Sequence, residues 1–302
     1  MPVLAAAAES LSIAAPDGLQ LHVRRYRPAA EAGLLPVLCL PGLTRNEADF
    51  EPIARHLAGD ARYPRTVFAM DLRGRGRSAY DPDWRNYNPA IELADVIAVV
   101  AALGIERAIF LGTSRGGILT MLMAAAQPAA IAGAILNDIG PLIERDGLMR
   151  IKSYAGRIPV PKNMTEAAEI VRDLFGAQFP NLTMADWRAW ADRSWREGAD
   201  GLVARYDQRI GETLNDLTPD QPIPDLWPQF DSLPQVPLMV IRGGLSDILS
   251  AETVAEMCSR RPGLEVLDVA DQGHPPLLAE PRVLAAISDF VLRCDHAAGH
   301  RI

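Results

Sequence analysis

One serine in this sequence sits where a hydroxyl can be made nucleophilic. Ser114 lies in Gly112-Thr113-Ser114-Arg115-Gly116, a Gly-x-Ser-x-Gly run entered from the apolar stretch Ala108 to Leu111 and left through an apolar helical pattern, Ile118 to Ala126. A serine on a tight strand-to-helix turn has its hydroxyl pushed outward, toward solvent or substrate. Gly112 and Gly116 remove the Cβ atoms that would collide where the strand and the helix cross. The pentapeptide alone arises by chance in glycine-containing loops; its flanks make it a nucleophile elbow.

A serine hydroxyl is a poor nucleophile at neutral pH, so it needs a base within hydrogen-bond reach and an acid to orient that base. The chain has five histidines. His296 and His300 fall in the tail, His22 in an opening hairpin and His56 in a helical stretch, where solvated or packed roles suffice. His274, in Gln272-Gly273-His274-Pro275-Pro276, follows the last expected strand, on the edge where open α/β sheets bind their ligands, and is the candidate base. Two carboxylates stand at the same edge. Asp247, in Gly243-Gly244-Leu245-Ser246-Asp247, is the preferred orienting acid, and Asp138 the alternative; both keep the order serine, acid, histidine. Asp138 could equally cap the segment that follows it.

A tetrahedral intermediate also needs two N–H donors aimed at its oxyanion. The elbow supplies one, the backbone N–H of Arg115, and the loop Leu40-Pro41-Gly42-Leu43 supplies the other from Leu43, since Pro41 has no N–H.

These groups need a scaffold. Leu11 to Ala15 and Leu19 to Tyr26 flank Pro16-Asp17-Gly18 and read as a hairpin. Apolar runs at 36–40, 66–70, 107–111, 131–136, 237–243 and 264–269 alternate with helical patterns, one of them opened by Asn88-Pro89. Continuous apolar strands alternating with helices argue a parallel sheet covered on both faces. Between about 141 and 232 the strands stop. Helical patterns at 142–155, 165–176, 183–197 and 199–210, with four of the five tryptophans, read as a helical cap over a core domain formed by 1–140 and 233–302. Trp187, Trp190 and Trp195 have spacings that suit the cap's own core; Tyr154, Trp187, Trp190 and Trp227 are candidate substrate contacts beneath an apolar roof, which favours an uncharged or weakly polar ester. The arginines at 73, 75 and 77 read as a solvated or helix-packing turn, and the tail from Asp295 as frayed.

The 302 residues are 49% hydrophobic, enough for a large core, and the net charge of -8 disfavours nucleic acid or an anionic membrane as partner. Cys39, Cys258 and Cys294 have neither disulfide nor metal spacing, which fits a reducing, cytoplasmic setting; Cys39 reads as a small buried hydrophobe. Met1 to Ala8 is apolar but short and lacks a basic start, so neither a signal peptide nor a membrane span is expected.

Together the elbow, the Pro41-Gly42-Leu43 loop, Asp71-Leu72-Arg73-Gly74-Arg75-Gly76-Arg77-Ser78, Asp247 and Gly273-His274 resemble the α/β-hydrolase superfamily, over about 11–140 and 233–293. The resemblance implies an α/β-hydrolase fold: an eight-stranded, mostly parallel sheet with a helical cap inserted after strand six. Many members carry His-Gly where this chain has Pro41-Gly42, a departure that bears on the oxyanion loop. The elbow and Asn137-Asp138-Ile139-Gly140-Pro141 look most like a bacterial serine carboxylesterase branch, some of whose members hydrolyse ester polymers. The expected activity is therefore cleavage of a small-molecule carboxylic ester through an acyl-enzyme, with no metal or organic cofactor. Lactone hydrolysis, carbon–carbon bond hydrolysis and perhydrolysis share the constellation. Dehalogenases and epoxide hydrolases are disfavoured because they place a carboxylate where Ser114 stands. A non-catalytic binding module on the same fold is the remaining alternative.

Overall fold

A computed structural model describes residues 7–199, 201–220 and 222–300. Most of the opening Met1–Ala8 stretch lies outside them. The chain begins with strands β1 (Ala7–Ala14) and β2 (Gln20–Arg27), paired antiparallel as the Pro16-Asp17-Gly18 turn requires. The other sheet strands are β3 (Val37–Leu40), β4 (Val67–Met70), β5 (Ala108–Thr113), β6 (Ile131–Asn137), β9 (Leu238–Gly243) and β10 (Glu265–Val269). The eight strands run in the order β1-β2-β4-β3-β5-β6-β9-β10, and every pairing beyond β2·β4 is parallel.

Alternation along the buried strands divides the core. Leu38 and Leu40 of β3 and Phe110 of β5 face one side of the sheet, packed with helices α2 (Pro89–Ala102), α3 (Arg115–Ala126) and α8 (Ala251–Arg260). Val37 and Cys39, with Ile109 and Leu111, face the other, against α1 (Glu51–Ala58) and α9 (Pro281–Ala297). Cys39 is fully buried, and desolvation raises its thiol pKa. Helix α2 starts where the sequence indicates: the Asn88 side chain accepts from the N–H groups of Ala90 and Ile91, and Pro89 occupies the first turn.

Between β6 and β9 the chain forms α4 (Arg145–Tyr154), α5 (Met164–Phe175), α6 (Met184–Ser194) and α7 (Trp227–Asp231). The expected helix at 199–210 is absent. A two-stranded ribbon, β7 (Trp195–Gly198) with β8 (Gly201–Ala204), stands there instead, followed by a 3-10 turn at Gln208–Leu214. Gly201, the first residue of β8, adopts a φ of +120°, which an L side chain rarely takes and which no helix contains. Phe175, Phe179, Trp187, Trp190 and Trp195 form a separate apolar cluster in this segment.

One further expectation is corrected. Asp295 is not in a frayed tail: it is fully buried in α9, where its carboxylate accepts from Arg65 Nη2 at 2.8 Å and from the Leu35 N–H at 2.9 Å. Of the two readings of the arginine turn, Arg73 and Arg75 take the helix-packing one, against Asp95 and Glu92 of α2. Arg73 is buried in ion pairs with Asp95, Asp81 and Asp17, and Arg75 is fully buried. No helix among the described residues is long and apolar enough to cross a membrane.

Candidate functional site

Ser114 occupies the turn between β5 and α3 with φ 50° and ψ −112°, a left-handed conformation that costs a non-glycine residue about 1–3 kcal/mol. The turn closes because its neighbours lack side chains. A Cβ at Gly116 would stand 1.9 Å from the Leu40 carbonyl oxygen, and one at Gly112 would stand 2.4 Å from that of Gly116.

His274, in the loop after β10, brings its ring to this serine. The Ser114 hydroxyl and His274 Nε2 are 2.9 Å apart, and His274 Nδ1 is 2.8 Å from Asp138 Oδ2. A carboxylate only accepts, so Nδ1 carries the proton and Nε2 presents its lone pair to the serine hydroxyl. Asp138 follows β6 in a left-handed conformation, φ 56°, and is fully buried. Its remaining acceptor sites are occupied by the Gly243 N–H at 2.8 Å and the Ser246 hydroxyl at 2.6 Å. The carboxylate is therefore aimed at the imidazole from three directions.

Asp247, the preferred acid on sequence grounds, does not hold the ring. It accepts from Arg150 Nε at 2.5 Å and Nη2 at 2.8 Å, a forked pair reaching across from α4. Burial opposes its ionisation, but the Arg150 guanidinium outweighs that and holds its carboxyl below the usual range. The alternative, Asp138, takes the imidazole because it follows its strand directly and its backbone turns the side chain inward, whereas Asp247 sits four residues past the end of its strand and meets Arg150 of α4. Nor does Asp138 cap a helix: Glu144 occupies that position before α4.

The Pro41-Gly42-Leu43 loop lies against the serine, since a Cβ at Gly42 would stand 3.7 Å from that of Ser114. Neither the Leu43 nor the Arg115 N–H has an acceptor among the described residues. Behind the loop, buried Arg75 donates from Nε to the Leu43 carbonyl at 2.8 Å and from Nη1 to the Arg73 carbonyl at 2.6 Å. Its Nη1 also pairs with Glu92 Oε1 at 2.7 Å, and Glu92 Oε2 stands 3.6 Å from Arg115 Nε. One buried carboxylate thus joins the side chains behind both strand-end turns. Sequence reading missed Arg75; the signal was Glu92, which with Asp95 is one of two acids in an otherwise apolar helix and in need of a buried cation.

A pocket opens over Ser114 and His274. Tyr154 and Trp190 line it, as expected, with Phe175, Trp195 and Tyr206. Trp187 and Trp227 do not. Trp187 packs in the aromatic cluster, its ring centroid 5.7 Å from that of Trp190, and Trp227 packs on Phe230 beneath the Arg260 guanidinium. The pocket wall also carries Arg45, Asp49 and Arg193, ionic groups that the expectation of an apolar roof did not include.

Residues 37–287 match the alpha/beta hydrolase family. The chain is similar to a 3-hydroxybutyrate-oligomer hydrolase of Cupriavidus necator, 31% identical over 84% of this chain and 87% of that one. It is also similar to a 2-(acetamidomethylene)succinate hydrolase of Mesorhizobium japonicum, 26% identical over 84% and 87% of the two chains. Among solved structures, an alpha/beta hydrolase from Novosphingobium aromaticivorans superposes with a TM-score of 0.88 at 42% identity, covering 95% of this chain and 99% of that one.

Proposed function

This chain belongs to the alpha/beta hydrolase family, and on that premise we propose that it is a serine hydrolase that cleaves carboxylic esters through Ser114, His274 and Asp138. The single observation that carries this reading is the unbroken hydrogen-bond chain from the Ser114 hydroxyl through the His274 ring to the Asp138 carboxylate. Serine attack on the ester carbonyl transfers the hydroxyl proton to His274 Nε2. The tetrahedral oxyanion is met by the N–H groups of Leu43 and Arg115. Collapse expels the alcohol, which takes its proton from His274, and leaves an acyl group on Ser114. Water, deprotonated in turn by His274, attacks this acyl-enzyme and releases the acid. Asp138 keeps the ring in the competent tautomer and stabilises the imidazolium in both halves of the cycle.

The segment 141–232 acts as a cap: its α4 and α6 supply Tyr154 and Trp190 to the wall above the serine. The ester bond is supported by the Cupriavidus relative, whose named substrate is an oligomer joined by carboxylic esters. The test is turnover of p-nitrophenyl esters of several acyl lengths. Wild type is expected to turn them over, and Ser114→Ala to lose about 10⁶-fold in kcat. Undiminished turnover by Ser114→Ala would remove the serine from the mechanism.

A further inference from the structure

The ionic group in the pocket wall is unbalanced. Arg45 follows β3, and Arg193 lies at the end of α6; both line the pocket. Both converge on one carboxylate: Asp49 accepts from Arg45 Nε at 2.7 Å and Nη2 at 2.5 Å, and from Arg193 Nε at 3.1 Å. Arg45 is otherwise engaged. Its Nη1 donates to the Ser194 hydroxyl at 2.7 Å, and its guanidinium lies 5.3 Å from the Trp190 ring centroid. Arg193 is not. It donates through Nε alone, and its two terminal amino groups have no acceptor among the described residues. Two cations therefore share one anion in a pocket whose remaining lining is mostly aromatic and aliphatic.

We propose that Arg193, braced by Asp49 and Arg45, binds a free carboxylate on the substrate, so that the ester cleaved at Ser114 is one whose acyl or alcohol part ends in an acid group. This rests on the reading of Ser114 as the nucleophile. A guanidinium presents its terminal N–H groups as a fork that matches a carboxylate. The surplus positive charge sits where partial exclusion of water strengthens its attraction for an anion. Burial pulls Arg193 below the usual guanidinium range and Arg45 adds a like charge beside it, opposed by Asp49 and, more weakly, by Asp192; a substrate carboxylate on the terminal amino groups would oppose both effects further. Asp49 itself stays ionised, because Arg45 and Arg193 outweigh the burial that opposes its charge. The aromatic wall then serves the carbon skeleton between the acid group and the scissile bond. The same three residues also tie α6 to the β3 turn, helped by Asn46, whose side-chain amide donates to the Arg193 carbonyl. The experiment must therefore separate recognition from bracing.

The probes are the linear dimer of 3-hydroxybutyrate as its free acid and as its terminal primary amide, with p-nitrophenyl acetate as a neutral reference. Wild type is expected to cleave the acid with kcat/KM about 10- to 100-fold above the amide, the worth of one charge-assisted pair. Arg193→Met is expected to bring the acid down to the level of the amide, chiefly through KM, while the amide and p-nitrophenyl acetate change less than about threefold; Arg193→Lys recovers part of the loss. Equal kcat/KM for acid and amide in the wild type overturns the proposal. So does a loss in Arg193→Met that falls alike on all three esters, which is the result a bracing role gives, and so does turnover of p-nitrophenyl acetate with none of the acid. If p-nitrophenyl acetate itself resists the wild type and Ser114 resists a fluorophosphonate, the esterase reading has failed instead.

Discussion

Asp138 and Asp247 follow neighbouring parallel strands, β6 and β9, at one edge of one sheet, yet their surroundings divide them. Asp138 is fully buried and receives the imidazole, a backbone N–H and the Ser246 hydroxyl. Asp247 is partly exposed, in a forked pair with Arg150 of α4. Ser246 stands between them: its hydroxyl donates to Asp138 while its oxygen accepts from the N–H groups of Ile248 and Leu249, which fixes the turn that carries Asp247 outward. Strand order brings a carboxylate to the rim where the histidine waits. The handedness of the backbone and the set of donors decide which carboxylate the histidine meets.

The two acids are separable by substitution. Asp138→Asn keeps the shape but replaces an acceptor with an amide that favours the wrong histidine tautomer, and kcat for a p-nitrophenyl ester is expected to fall about 10⁴-fold. Asp247→Asn is expected to leave kcat within about threefold. Comparable losses in the two variants would erase the distinction. A smaller effect comes from the oxyanion side, remote from both acids. Arg75→Lys keeps a cation beside Glu92 but loses the Nε hydrogen bond to the Leu43 carbonyl, and kcat is expected to fall about 10- to 100-fold with KM nearly unchanged, a partial loss of one oxyanion donor. A fall in kcat no greater than threefold would show that Leu43 is held without it.

Smaller still is the Ser246 hydroxyl. Ser246→Ala removes one hydrogen bond to a charged carboxylate, and steady-state kinetics should show kcat lower by about 10-fold, roughly the worth of such a bond. An unchanged kcat would mean that Gly243 and His274 alone hold Asp138. The smallest effect falls on stability. The Arg150–Asp247 pair is partly exposed, so Asp247→Asn should cost no more than about 1 kcal/mol in urea unfolding at pH 7. Because Arg150 depresses the folded-state pKa of Asp247 against its burial, this contribution is present above the unfolded value, near 3.9, and is lost as the pH falls through the lower folded value. The stability difference between wild type and Asp247→Asn should therefore shrink below about pH 4. A difference that persists there would assign it to packing.

Much of the scaffold was legible in the sequence because its signals are local. The apolar runs of β3, β5 and β6, the Asn88-Pro89 start of α2 and the Gly-x-Ser-x-Gly turn each report their geometry within a few residues. Ser114 and His274 were legible for the same reason, each lying just past an apolar strand. The choice between Asp138 and Asp247 was not, since the left-handed φ of Asp138 and the partners Gly243 and Ser246, more than a hundred residues away, leave no mark near position 138. For Arg73 and Arg75 the sequence left a solvated and a helix-packing turn open, because the acids that bury them lie in another element, α2. The β7–β8 ribbon was hidden by the tryptophan spacing of α6, which continues the helical pattern to Trp195 although the chain leaves the helix there. Arg45 and Arg193 carried no periodicity at all; their meaning lies in convergence on Asp49 from two distant parts of the chain.

The relay itself is tested most directly by the rate at which a fluorophosphonate modifies Ser114, followed by intact mass and located by peptide mapping, in wild type, Asp138→Asn and Asp247→Asn. The expected result is a single adduct on Ser114, formed at one rate in wild type and Asp247→Asn and orders of magnitude more slowly in Asp138→Asn. An adduct on another residue, or modification that is fast in Asp138→Asn and slow in Asp247→Asn, would contradict it.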